Sequence, residues 1–151
     1  MSLRFRPARP DEAAAISALA LRSKAHWGYA EAFLAACQDE LTWTADDVAA
    51  RHVIVAERDG EMAGFFILAG DGPMGDLTDM FVDPRFIGTG MGGELMRVAL
   101  RHARDRGYTT LGIDADPNAA AFYEHFGARR ISQVPSASIP GRMLPHLEIQ
   151  L

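Results

Sequence analysis

"FVDPRFIGTGMGGELM", residues 81–96, begins as an apolar strand, breaks at a proline and then crowds Gly88, Gly90, Gly92 and Gly93 into six positions before a run of helix formers. Each glycine in the first turns of a helix costs roughly 0.5–1 kcal/mol relative to alanine, so folding alone does not account for them. A strand that enters a glycine-rich turn and then a helix leaves backbone N–H groups unpaired at a positive helix end, a ready seat for phosphate. Each hydrogen bond to a charged oxygen is worth roughly 1.5–3 kcal/mol. Several such amides would offset the lost entropy. The residues by themselves specify a phosphate-bearing ligand and nothing finer.

Outward from this stretch the pattern is that of an α/β protein. "DLTDMFV" (76–82) is a strand in which Leu77, Asp79 and Phe81 alternate with Thr78, Met80 and Val82. Before it, "HVIVAERDGEMAGFFILAG" holds two β-rich runs around Asp59-Gly60, the dipeptide of a tight hairpin. "LRFRPA" (3–8) reads as a half-exposed strand. A helix follows from about residue 10, with Asp11 and Glu12 at its positive end and Ile16, Leu19, Ala20 and Ser23 on one face. A second helix is expected over about 30–40, and Thr44 with Asp47 caps a short third one.

After the glycines, a helix is expected over about 90–106 with Leu95, Val98, Ala99 and Ala103 as its apolar stripe and Gly107 as its terminator. "TTLGIDA" (109–115) is a buried strand. In "DPNAAAFYEHFGA", Asp116 is the expected helix cap and Pro117 the first helical residue. "RRISQV" and "LPHLEIQL" close the chain as strands. The order β-α-α-β-β-β-α-β-α-β-β gives one α/β domain over 1–151, with a mixed sheet because hairpins are present.

Composition sets outer bounds. The 151 residues suffice for one well-buried core, and 23% charged residues fit an ordinary globular domain. No run of about 20 apolar residues spans a membrane. "MSLRFRPARPDE" has neither the apolar centre nor the cleavage site of a signal peptide, so the cytoplasm is the expected location. Cys37 is the single cysteine, which fits a reducing compartment. The net charge of −5, with Lys24 the single lysine, argues against nucleic acid as partner. His26, His52, His102, His125 and His146 show no ligand spacing, so no metal site is expected.

Among phosphate binders, a nucleotide P-loop needs a Gly-Lys pair that this chain does not contain. "GTGMGG" does satisfy GxGxxG, but a dinucleotide fold places that motif in its first βαβ unit, whereas here a hairpin and some eighty residues precede it.

"RFIGTG", preceded by "VDP", resembles the Arg/Gln-x-x-Gly-x-Gly/Ala signature of the GCN5-related N-acetyltransferases (GNAT). "DPNAAAFYEHFGA" is similar to that family's Asn-x-x-Ala-x-x-Phe-Tyr-x-x-x-Gly-Phe segment, with Ala128 departing where Phe is usual. The motifs stand in the family's order, one strand apart. The resemblance implies a GNAT-like fold: a central mixed, mostly antiparallel twisted sheet flanked by helices, its strands splayed at the cofactor site. It implies acetyl-CoA as co-substrate and an amine, small-molecule or peptide, as acceptor. The acetyl group would move by direct attack in a ternary complex. A CoA-binding or regulatory domain without catalysis is the alternative.

Carried over by position, the resemblance puts the pyrophosphate on the amides of Phe86, Ile87, Gly88, Thr89, Gly90 and Met91, with Gly92 beside them. The pantetheine arm would pair with Phe81 and Val82, and Asn118 would fix the arm. Tyr123 would protonate the departing thiolate, a role that suits a phenol of pKa about 10. Presenting a lysine-like amine neutral at pH 7 costs about 4–5 kcal/mol, so an acceptor of its proton is needed. Asp76 and Asp79, on the strand before the signature, are the candidates. An ordinary aspartate is a poor base, which favours a water relay. Trp27 and Tyr29 lie where the family places its substrate-covering helices, either as a substrate wall or as packing between them. The resemblance also implies that edge strands at the C-terminus can pair two subunits.

Overall fold

The computed structural model describes residues 2–151. In chain order come β1 (Leu3–Pro7), α1 (Ala13–Ala25), α2 (Glu31–Cys37), α3 (Ala45–Ala50), β2 (His52–Arg58), β3 (Glu61–Ala69) and β4 (Met74–Val82). They are followed by α4 (Met91–Asp105), β5 (Thr110–Asp114), α5 (Ala120–His125), β6 (Arg129–Pro135) and β7 (Met143–Gln150). Short 3-10 turns occupy Pro10–Glu12 and Pro84–Phe86. The expected element order is observed, with the short capped segment α3 standing as a third helix before β2. The sheet is seven-stranded with order β1-β2-β3-β4-β5-β7-β6, β4 and β5 running parallel.

The chain divides into two compact units. The first comprises residues up to 67 together with 79–95, the second 68–78 and 96–151.

In the first unit β1 pairs antiparallel with β2, from Leu3↔Arg58 to Pro7↔Ile54. Asp59 (φ 53°) and Gly60 (φ 83°) make the hairpin turn into β3, both in the left-handed region that such a turn requires. Residues 53–56 and 63–67 are buried without alternation, the pattern of strands covered on both faces. α1 buries Ile16, Leu19, Ala20 and Ser23, the face its periodicity marks. Thr44 Oγ1 accepts from Asp47 N–H at 3.1 Å, and Asp47 Oδ2 accepts from Thr44 N–H at 2.9 Å. The expected capping box is thus in place. Glu12 does less for α1 than its position suggests. It takes two hydrogen bonds from the Arg6 guanidinium, at 2.8 and 2.7 Å, and one from the Arg9 N–H at 2.8 Å. Arg6 also pairs with Glu57.

In the second unit β4 and β5 pair from Met74↔Thr110 to Asp76↔Gly112. β5 then pairs antiparallel with β7, and β7 with β6 across a bulge between Arg130 and Ser132. Leu77, Leu111, Ile113, Leu147 and Ile149 are buried on one face, as side-chain alternation demands of neighbouring strands in register. Gly107 (φ 84°) ends α4 as expected, and the Tyr108 ring packs where a Cβ on Gly75 would stand. α5 departs from expectation. Asp116 does not cap it: its Oδ1 accepts from Asn118 N–H at 2.9 Å and its carbonyl from Ala119 N–H at 2.8 Å. The local Asx turn wins over the cap, and the helix starts at Ala120.

Candidate active site

The glycine loop belongs to the first unit. Gly88 (φ 82°) and Gly90 (φ 88°) lie in the left-handed region, and a Cβ built on either meets nothing within 4 Å. Both backbones therefore face open space that a ligand could fill without displacing protein atoms. Glu94 N–H donates to Gly90 C=O at 3.1 Å as the first turn of the 15-residue α4. Helix geometry leaves the N–H groups of Met91, Gly92 and Gly93 without acceptors inside the helix. Gly92 and Gly93 are helical, so neither supplies an unusual φ. Within the loop, Phe86 N–H donates to Asp83 C=O, Ile87 N–H to Pro84 C=O and Thr89 N–H to Phe86 C=O. Of the seven positions expected to cradle pyrophosphate, these three use their amides internally. Gly88, Gly90, Met91 and Gly92 remain the candidates for the cradle.

The segment leading into the loop is fixed at Asp83, which is 1% exposed. Its Oδ1 accepts from Arg85 N–H at 3.0 Å and its Oδ2 from Arg22 Nη2 at 2.8 Å. Burial opposes ionisation here, but Arg22 and then Arg85 outweigh it and hold the carboxyl below its usual range. Asp83 N–H donates to Ala63 C=O at 2.8 Å, and the Phe81 carbonyl lies against Gly64.

In the second unit a polar face lies opposite the buried one. Thr110, Gly112 and Asp114 of β5 stand in register with Gln150, Glu148 and His146 of β7, and Gly112 is also level with Asp76 of β4. Thr110 Oγ1 donates to Gln150 Oε1 at 3.2 Å. His146 Nδ1 is 2.6 Å from Asp114 Oδ1 and its Nε2 is 3.1 Å from Glu148 Oε2. A Cβ on Gly112 would come within 2.6 Å of Asp76 Oδ1 and 3.3 Å of His146 Cε1. Glycine is what lets those two side chains share the space.

Electrostatics follow from this crowding. Burial, and after it the charge of Asp114, pushes the Asp76 carboxyl above the ordinary aspartate range. His146 works against that rise and Glu148 adds to it. The hydrogen bond to Asp114 raises the His146 pKa, against the effect of burial, and Glu148 raises it further. Asp76 is therefore a stronger base than the ordinary aspartate expected from sequence. Asp79 belongs to the first unit.

Tyr123 is buried on α5 with its ring edge-on to Phe122 at 5.3 Å. Asn118 is exposed in the turn before that helix. In the first unit Trp27 is half exposed, and Tyr29 stacks on Phe33 at 4.2 Å with Lys24 Nζ 5.5 Å from its centroid. One face of Tyr29 is thus spent on packing.

Sequence reasoning missed His146, Asp114, Glu148 and Gly112. A period-two register between "TLGID" and "HLEIQ" would have aligned them, but antiparallel pairing of those two strands had to be known first. Among the described residues no group of three or more His, Cys, Asp or Glu is arranged to hold a metal ion, and no helix is long and apolar enough to cross a membrane.

Residues 18–128 match the family model described as the acetyltransferase (GNAT) family. A mycothiol acetyltransferase of Thermomonospora curvata is 33% identical over 101 residues, which are 58% of this chain and 34% of that protein. The chain thus spans about a third of the length of that curated relative. The crystal structure of a GCN5-related N-acetyltransferase from Rhodopseudomonas palustris superposes with TM-score 0.83 at 24% identity, covering 100% of this chain and 97% of that one. The PaiA N-acetyltransferase of Thermoplasma acidophilum, solved in complex with coenzyme A, gives TM-score 0.82 at 15% identity with 100% of both chains covered. Both structural likenesses concern the fold.

Proposed function

Because the chain belongs to the acetyltransferase (GNAT) family, we propose that it transfers an acetyl group from acetyl-CoA to the amine of a small-molecule acceptor by direct attack. The observation that carries this reading is the loop at Gly88 and Gly90. Two left-handed glycines with open space at their Cβ positions lead into the unpaired amides of a long helix, an arrangement suited to a pyrophosphate. The similarity to a protein named mycothiol acetyltransferase supports a small acceptor. A cytoplasmic setting goes with this donor.

Gly88, Gly90, Met91 and Gly92 would hold the pyrophosphate, Val82 the pantetheine amide, and Asn118 the arm. Bound acetyl-CoA would supply an acetyl group activated as a thioester. Asp76 takes a proton from the acceptor's ammonium, which frees the nitrogen electron pair for the carbonyl carbon. The C–N bond forms as the C–S bond breaks, and Tyr123 donates its phenolic proton to the departing sulfur. The amide nitrogen sheds its second proton, which restores Tyr123. One proton is released overall.

The test is release of CoA thiol from acetyl-CoA across a panel of amines, with calorimetric CoA binding measured alongside. Turnover with at least one amine, reduced by Tyr123→Phe while CoA affinity holds, supports the reading. Saturable NADH binding that CoA does not compete away would overturn it, and so would CoA binding with no turnover on any amine.

A further inference from the structure

His146 has an anion at each ring nitrogen, Asp114 at 2.6 Å and Glu148 at 3.1 Å. A carboxylate can only accept, and a neutral imidazole donates from one nitrogen alone. Both contacts are made together by an imidazolium that donates from both nitrogens. The placement is set by the sheet. Asp114 is the cross-strand partner of His146, and Glu148 is two residues along the same strand on the same face. Asp76 is one rung away, over Gly112, close enough that no Cβ fits between its Oδ1 and the imidazole Cε1.

We propose that His146 is a positioning residue for acetyl transfer: clamped as an imidazolium between Asp114 and Glu148, it offsets their charge at Asp76 and keeps that carboxylate ionised and aimed for the acceptor's ammonium proton. The inference rests on the acetyl-transfer reading for its purpose, though the charge coupling itself does not depend on it. The proton step balances within the site. One ammonium N–H bond breaks, an Asp76 carboxylate oxygen takes the proton, and the nitrogen keeps the electron pair.

The charged groups around Asp76 make this sign-sensitive. Asp114 approaches from β5 and Glu148 from β7, both anionic, while His146 on β7 is the cation among them. Arg129 of β6 is level with Glu148 and lies a strand further out. Thr110 and Gln150, on the next rung, form a neutral pair. Without His146, Asp76 would share its face with two like charges and bind its proton more tightly, leaving less ionised base near neutral pH. With His146, the carboxylate retains the raised basicity that burial confers yet remains ionised.

His146→Gln keeps one hydrogen-bond donor and removes the charge. Two readouts apply to the 151-residue chain: the titration midpoint of the Asp76 carboxyl by carbon-13 NMR without substrates, and the pH profile of kcat/KM. We expect the variant to raise the Asp76 midpoint and to move the acid limb of the profile to higher pH. Activity at pH 6 then falls several-fold, while activity at pH 8 stays near wild type. An unchanged Asp76 midpoint, or an equal loss at every pH, overturns the proposal. If no amine is acetylated by the wild type, the acetyl-transfer reading falls, and the NMR midpoint still decides the coupling. Should His146→Gln fail to fold, Glu148→Gln serves instead. It must lower the pH at which nitrogen-15 NMR sees the His146 ring lose its second proton, and no change there overturns the clamp.

Discussion

Arg22 Nη2 on α1 meets Asp83 Oδ2 at 2.8 Å, and that contact ties the first helix to the residue from which the glycine loop departs. Asp83 is buried while both its arginine partners are about half exposed, so the carboxylate is the desolvated member of the group. Asp83→Asn leaves two arginine contacts without their anion and should lower stability at pH 7 by roughly 1–3 kcal/mol. The carboxyl titrates below its usual range when folded. Its stabilisation is therefore present above the ordinary aspartate pKa and fades as pH falls through the folded value. Chemical denaturation over a pH series descending from pH 7 checks this: the gap between wild type and variant should be widest at pH 7 and shrink steadily once the pH drops below the ordinary aspartate range.

Glu12 offers a sharper pH signature within the same unit. Arg6 first, and the Arg9 N–H after opposing burial, lower its pKa from an ordinary 4.5 to about 2. A folded pKa below the unfolded one contributes stability above about pH 4.5 that drains away towards pH 2. On the order of 3–4 kcal/mol is involved, since each pKa unit between 4.5 and about 2 corresponds to about 1.4 kcal/mol. Glu12→Gln should therefore cost that much at pH 6 and little at pH 2.5, as read from denaturation midpoints. A constant difference at both pH values would show that shape, not charge, is what Glu12 contributes.

Much of the frame could be read from local chemistry. Asp59-Gly60, the Thr44–Asp47 capping box and Gly107 act over three or four residues, and each stands where its spacing predicts. Features that depend on register between distant strands were not legible. His146 meets Asp114, 32 residues away, because β7 lies antiparallel to β5, and no window along the chain contains both. Asp116 failed for the opposite reason. Two local devices, a helix cap and an Asx turn, compete at one residue, and composition does not rank them.

Gly88 and Gly90 separate ligand binding from folding. A side chain at either would enter open space, so the substitution strains the backbone, by roughly 1–2 kcal/mol per left-handed residue, without a clash. Gly90→Val should reduce CoA affinity at least about tenfold, an amount equal to roughly 1.4 kcal/mol, with the chain still cooperatively folded. Titration calorimetry with CoA and thermal melts on the same sample check both parts. Normal CoA binding by Gly90→Val would remove the loop from the pyrophosphate site.

Gly112→Ala tests the crowded face without deleting any of its functional groups. The new methyl would sit 2.6 Å from Asp76 Oδ1 and 3.3 Å from His146 Cε1, so one or both side chains must swing away. Gly112 is buried and in register between β4 and β7, so the backbone is pinned on both sides and cannot yield instead. The glycine loop belongs to the other unit and keeps its own contacts. Turnover should therefore fall while CoA affinity is retained, and the Asp76 carboxyl, moved away from the imidazolium, should titrate at a changed midpoint. Steady-state kinetics, calorimetry and carbon-13 NMR on one preparation distinguish this from general destabilisation, which would weaken CoA binding and turnover together.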